Sequence, residues 1–107
     1  MRILIDECLN WRQGRALTGH FFASVAKMGW SGVQNGRLLA LAEQNAFDVL
    51  LTADRNLNFQ QNMPQCRIAI VVLEADGVQL HETLPLMPKV LAVLPALQPG
   101  QVVRVGP

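Results

Sequence analysis

Asp48-Val49-Leu50-Leu51-Thr52-Ala53-Asp54 is a continuous apolar run held between two acids. A strand with one wet face alternates; one that is apolar at every position is covered on both faces, as in a parallel sheet flanked by helices. Just upstream, Arg37-Leu38-Leu39-Ala40-Leu41-Ala42-Glu43 carries Leu38, Leu41 and Ala42 on one helical stripe. A helix leading into a doubly buried strand is half of a βαβ unit. The same strand type occurs at Arg2-Ile3-Leu4-Ile5 and, most strongly, at Arg67-Ile68-Ala69-Ile70-Val71-Val72-Leu73. His20 to Ala26 reads as a further strand, and Gln101 to Val105 as a final edge strand.

The connecting segments fit helices and loops. Residues 8–17 suit a helix through Leu9, Gln13, Ala16 and Leu17, although Gly14 weakens it by about 1 kcal/mol relative to alanine. Met28 to Gly32 is a glycine-containing loop. In the last third, Leu80, Leu84, Met87, Leu91 and Leu94 share a helical face, which Pro85 and Pro88 are expected to break in two. Leu86 and Val90 are left over as a hydrophobic face for a homodimer. Strands alternating with helices predict one α/β domain over residues 1–107, a three-layer α/β/α sandwich around a mainly parallel sheet.

Composition supports this and removes several alternatives. With 107 residues, 50% hydrophobic and 16% charged, the chain can build one core without disulfides or a structural metal. The net charge of +1 gives no overall basic excess to mark nucleic acid. No apolar run approaches the roughly 20 residues that span a bilayer, and Asp6-Glu7 spoils a signal peptide. A cytoplasmic protein with no membrane partner is expected. Cys8 and Cys66 lack the paired spacing of a zinc site and read as free thiols. His20 and His81 read as structural or surface residues, and Trp11 and Trp30 as packing residues.

In open parallel sheets, function gathers at the carboxyl ends of the strands. Asp6 follows the first strand and Asp54 the third, so both fall on that edge. Asn35, at the start of the central helix, and Asn56, in the loop after Asp54, join them, whereas Glu43 and Asp48 lie at the opposite edge. Converging carboxylates repel unless a proton or cation lies between them. Mg²⁺ suits such a place, since it takes one or two carboxylates, keeps waters and bridges to phosphate. Activation of water for phosphodiester cleavage is the chemistry this supports. The plainer reading makes each Asp an N-cap for the following helix. Glu7 either faces the site as a further ligand or serves as a first-turn partner of the helix dipole. Arg12, Arg15, Arg37 and Arg55 could grip a phosphate backbone. Asn56 to Asn62, with Asn58, Gln61 and Phe59, reads as a recognition loop or as a capped helical turn.

Three motifs in order, Ile3-Leu4-Ile5-Asp6-Glu7-Cys8-Leu9, Asn35-Gly36-Arg37-Leu38-Leu39 and Val49-Leu50-Leu51-Thr52-Ala53-Asp54-Arg55-Asn56-Leu57, resemble short bacterial PIN-like proteins related to toxin ribonucleases of the VapC type. The resemblance covers roughly residues 1–75. It implies an α/β/α fold, Mg²⁺- or Mn²⁺-dependent RNA cleavage, and an antitoxin protein as partner. Asp6 and Asp54 match catalytic acids of the family pattern, while Asn35 and Asn56 stand where it has further acids. Such a site holds its metal weakly. The alternative within the same resemblance is a catalytically degenerate module that binds RNA or a partner protein. A receiver-like phosphoacceptor domain also carries an acidic pair after its first strand and an Asp after its third. It needs a Ser or Thr after the fourth strand and a Lys after the fifth, where this chain has Glu74-Ala75-Asp76 and no lysine.

Overall fold

The computed structural model describes residues 1–33, 35–55 and 67–107. Its regular elements are β1 (Arg2–Ile5), a 3-10 helix (Trp11–Ala16), β2 (Phe21–Ser24), α1 (Asn35–Gln44), β3 (Val49–Thr52), β4 (Ala69–Leu73), α2 (Leu80–Thr83), a 3-10 turn (Leu84–Leu86), α3 (Met87–Val93), a second 3-10 turn (Leu94–Ala96) and β5 (Val102–Val105). The five strands form one sheet in the order β2-β1-β3-β4-β5, and every neighbouring pair is parallel. The α/β class and the parallel sheet are as the apolar strands predict.

Strand alternation divides the core into two layers. Ile3, Ile5, Val49, Leu51, Val71 and Leu73 face a cluster completed by Leu9, Leu17, Leu86, Met87, Val90 and Leu94. Leu4, Leu50, Ile70 and Val72 face the opposite cluster, with Leu38, Leu39, Ala42 and Phe47. Successive side chains of a strand point to opposite faces, so a strand buried at every position must have cover on both. β3 and β4 are buried at every residue, which is why their sequences show no polar alternation.

Three local expectations need correction. The helix expected over residues 8–17 is a 3-10 helix over Trp11–Ala16. It begins at Asn10, whose side chain accepts the Arg12 N–H at 3.0 Å, and Gly14 lies flat against Phe22. A Cβ on Gly14 would come within 2.0 Å of that ring, so the glycine is required by close packing. Gln13, wholly buried, accepts a hydrogen bond from the Thr83 hydroxyl at 2.7 Å and ties this helix to α2.

The last third is also organised differently. Its buried stripe is Thr83, Leu86, Met87, Val90 and Leu94, while Leu84 is exposed. As expected, Pro85 and Pro88 divide the helical stretch: α2 ends at Thr83, a 3-10 turn covers Leu84–Leu86 and α3 starts at Met87, each proline sitting in the first turn of its segment, where no amide is missed. Leu86 and Val90 are therefore core residues, 5% and 1% exposed, and supply no dimer face. Finally, Trp30 packs edge-on against Phe47 as expected, but Trp11 stands 43% exposed on the surface. Among the described residues no helix is long and apolar enough to cross a membrane.

Candidate functional site at the β1–β3 carboxyl edge

β1 is followed in sequence by β2 on one side and neighbours β3 on the other, so the chain reverses direction across the sheet between β1 and β3. Crevices outside the carboxyl ends of strands at such a switch point are the usual ligand sites of open α/β sheets. Asp6 and Asp54 leave these two strands. Asp6 is pinned there by its own N–H, which donates to the Leu51 carbonyl at 2.9 Å.

Thr52 organises the site. Its hydroxyl donates to Asp6 Oδ2 at 2.7 Å and accepts the Asp54 N–H at 3.2 Å, and the residue is wholly buried. Asp6 Oδ1 accepts the N–H of Glu7 at 2.8 Å. Asp6 is thus not the cap of the following helix, a role Asn10 takes. In the sequence Thr52 shows only as the end of an apolar strand. The signal was a lone hydroxyl in an otherwise aliphatic buried run, where a polar group must find a partner.

Cys8 also meets Thr52, with Sγ 3.6 Å from Oγ1, and it is a free thiol. The residue keeps solvent contact, yet desolvation of its sulfur pushes the thiol above its ordinary value. The charges of Asp6 and Asp54 push the same way, against hydrogen bonds from the Ala53 backbone and Thr52. Cys66 lies outside the described residues.

The other expected site residues fall in different places. Glu7 is not a helix-dipole partner. Its carboxylate accepts the Gly32 N–H, at 3.1 Å to Oε1 and 3.4 Å to Oε2, and so fastens the loop that precedes α1. Asn35 begins α1. Arg37 is exposed on the first turn of that helix. The exposed Arg55 guanidinium donates to the Ala75 carbonyl and joins the segments that follow β3 and β4. Arg12 and Arg15 both lie over the Trp11 ring, each 4.9 Å from its centroid. Asn56, Asn58 and Gln61, with the rest of the expected recognition loop, lie outside the described residues. Asp48 belongs to the opposite edge, as expected, where its carboxylate accepts the Arg2 N–H at 2.8 Å.

Among the described residues, no group of three or more His, Cys, Asp and Glu side chains is arranged to hold a metal. Asp6 and Asp54 follow neighbouring strands, linked through Thr52 by the Asp6 carboxylate and the Asp54 N–H. Hydrogen bonds to Asp6 occupy only part of its acceptor capacity. The chain is therefore an α/β protein with an acidic pair at the switch point of its sheet. Compared with protein-family models, curated proteins and solved structures, it gives no match.

Proposed function

We propose that this chain is a PIN-like endoribonuclease dependent on Mg²⁺ or Mn²⁺, acting as the toxin component of a toxin–antitoxin pair. The observation that carries the reading is the buried Thr52 hydroxyl, which holds Asp6 and the Asp54 backbone together across β1 and β3. In this reading Asp6 and Asp54 would hold the ion, with Asn35 and Asn56 as neutral ligands or substrate anchors. When bound, the ion supplies Lewis-acid chemistry for phosphodiester hydrolysis. Thr52 orients Asp6, and Glu7 acts indirectly by fixing the α1 loop through Gly32. Arg12, Arg37 and Arg55 contact the RNA backbone. The antitoxin partner, the cytoplasmic location and the recognition role of Asn58 and Gln61 rest on the sequence resemblance and the composition.

A second reading has one observation in its favour. Glu7 is bound to Gly32, and no third acidic ligand joins the pair among the described residues. This suits a PIN-like module that binds RNA or a partner protein without cutting.

A Mn²⁺ or Mg²⁺ titration followed by amide NMR separates the two. The nuclease reading expects saturable changes at Asp6, Thr52 and Asp54 that disappear in Asp6→Asn, together with metal-dependent cleavage of RNA. Absence of any change at millimolar metal refutes it and leaves the binding module.

A further inference from the structure

Beside the acidic edge lies a groove of about 550 Å³ lined by Trp11, Phe22, Ala23, Ser24 and Lys27, within the size range of small-ligand clefts. It runs along β2, one of the two edge strands of the sheet. Its position relative to the acids follows from the register: Ser24 pairs with Ile5, the residue before Asp6. Adjacent strands are about 4.8 Å apart, so the groove opens one strand away from Asp6 on the same carboxyl edge.

The chemistry of the groove is one-sided. Its lining contains no acid. Arg12 and Arg15 stack on Trp11, one of the lining residues, and the exposed Lys27 also lines the groove. Among the described residues none of these three cations has an ion-pair partner. An exposed indole with unpaired guanidinium groups is the combination that holds unstacked bases, since bases stack on aromatic faces and on guanidinium planes alike.

We infer that this groove is a single-stranded RNA subsite of the proposed nuclease, with Trp11 as its stacking platform. A base displaces one guanidinium from the indole face, and the freed arginine moves to the neighbouring phosphate. Lys27 contacts the phosphate on the far side and directs the strand over β1 toward Asp6. This rests on the RNA-directed function proposed above, but not on cleavage.

The test uses the full chain carrying Asp6→Asn, in EDTA, titrated with a short single-stranded oligouridylate bearing a fluorescent label. Binding is expected to be saturable and weakened by salt. Trp11→Ala should lower affinity about tenfold, the scale of one lost base stack, while Trp11→Phe retains most of it. Lys27→Glu should weaken binding as well, and a duplex of the same length should bind less tightly than the single strand. Circular dichroism melts confirm that the variants fold, as expected for exposed side chains. Equal affinity of wild type and Trp11→Ala overturns the inference. So does quenching of Trp11 by protein concentration alone, because the groove is then covered by a second copy pairing along β2. Trp11-dependent binding without cleavage by the unmutated chain overturns the nuclease reading and leaves the subsite standing.

Discussion

Replacing Thr52 with valine tests the central contact of the site without changing its shape. The residue is wholly buried, so valine fills the same volume and opens no cavity. What disappears is the hydroxyl, with its 2.7 Å bond to Asp6 and the acceptor for the Asp54 N–H. A hydrogen bond to a charged group contributes about 1.5–3 kcal/mol. Asp6 is only partly covered and recovers some hydration, so a loss of about 2 kcal/mol is expected, against a stability of roughly 5–15 kcal/mol for a small domain. That corresponds to a fall in Tm of roughly 8–16 °C. Thr52→Ser supplies the control: it keeps the hydroxyl and loses one buried methyl, which costs about 1 kcal/mol. Urea denaturation should order the three proteins as wild type, then serine, then valine, with unchanged m-values. If the valine variant is at least as stable as the serine variant, the hydroxyl does not hold the acidic pair and the site argument loses its anchor.

Other perturbations follow from the same contacts. Gly14→Ala should destabilise the chain by about 1–3 kcal/mol in a thermal melt through collision with Phe22, although helix propensity alone favours alanine by about 1 kcal/mol; a higher melting temperature would mean that the ring does not pack there. Cys8 should alkylate more slowly in the folded protein than in urea at about pH 8, because desolvation, with Asp6 and Asp54 adding, raises its thiol and the thiolate is the reactive form. Its folded-state rate should keep rising at pH values where the unfolded rate has levelled, and Asp6→Asn should speed it. The linked stability has a definite sign: with the folded value raised, Cys8's contribution is complete below the unfolded thiol's titration and is lost as pH climbs through the folded one.

The sheet was legible because doubly buried strands have an unambiguous composition. Val49 to Thr52 and Ala69 to Leu73 are buried at every position, and a helix cannot make such a run equally apolar unless it too is enclosed. The carboxyl-edge placement of Asp6 and Asp54 followed from strand direction alone. The missed features depend on contacts between distant segments. Leu84 and Leu91 are more obvious core candidates than Thr83 or Val90 from composition. Yet the stripe that faces the sheet includes Thr83, because its hydroxyl meets Gln13. Glu7 offered a charge beside Asp6, but nothing in its own neighbourhood reveals that Gly32 carries a free N–H within reach.

The sheet order itself could mislead about function. The order β2-β1-β3-β4-β5 is that of doubly wound phosphoacceptor and flavin-binding domains, which gives the receiver-like alternative its appeal. In a parallel sheet, a crossover's hand is set by the direction of its step and the face it covers. Crossovers of one hand that step in opposite directions must therefore lie on opposite faces. Here β1 to β2 steps one way and β4 to β5 the other, yet Leu9 and Leu17 of the first connection share one core layer with Leu86, Met87, Val90 and Leu94 of the second. The two crossovers have opposite hands, so the sheet departs from the right-handed rule that nearly all such connections obey. The Gln13–Thr83 bond fastens them to each other across that shared face. A receiver obeying that rule would put its last crossover on the α1 side, leaving no such bond. The strand order alone therefore gives no reason to place Asp6 and Asp54 in a phosphoacceptor pocket.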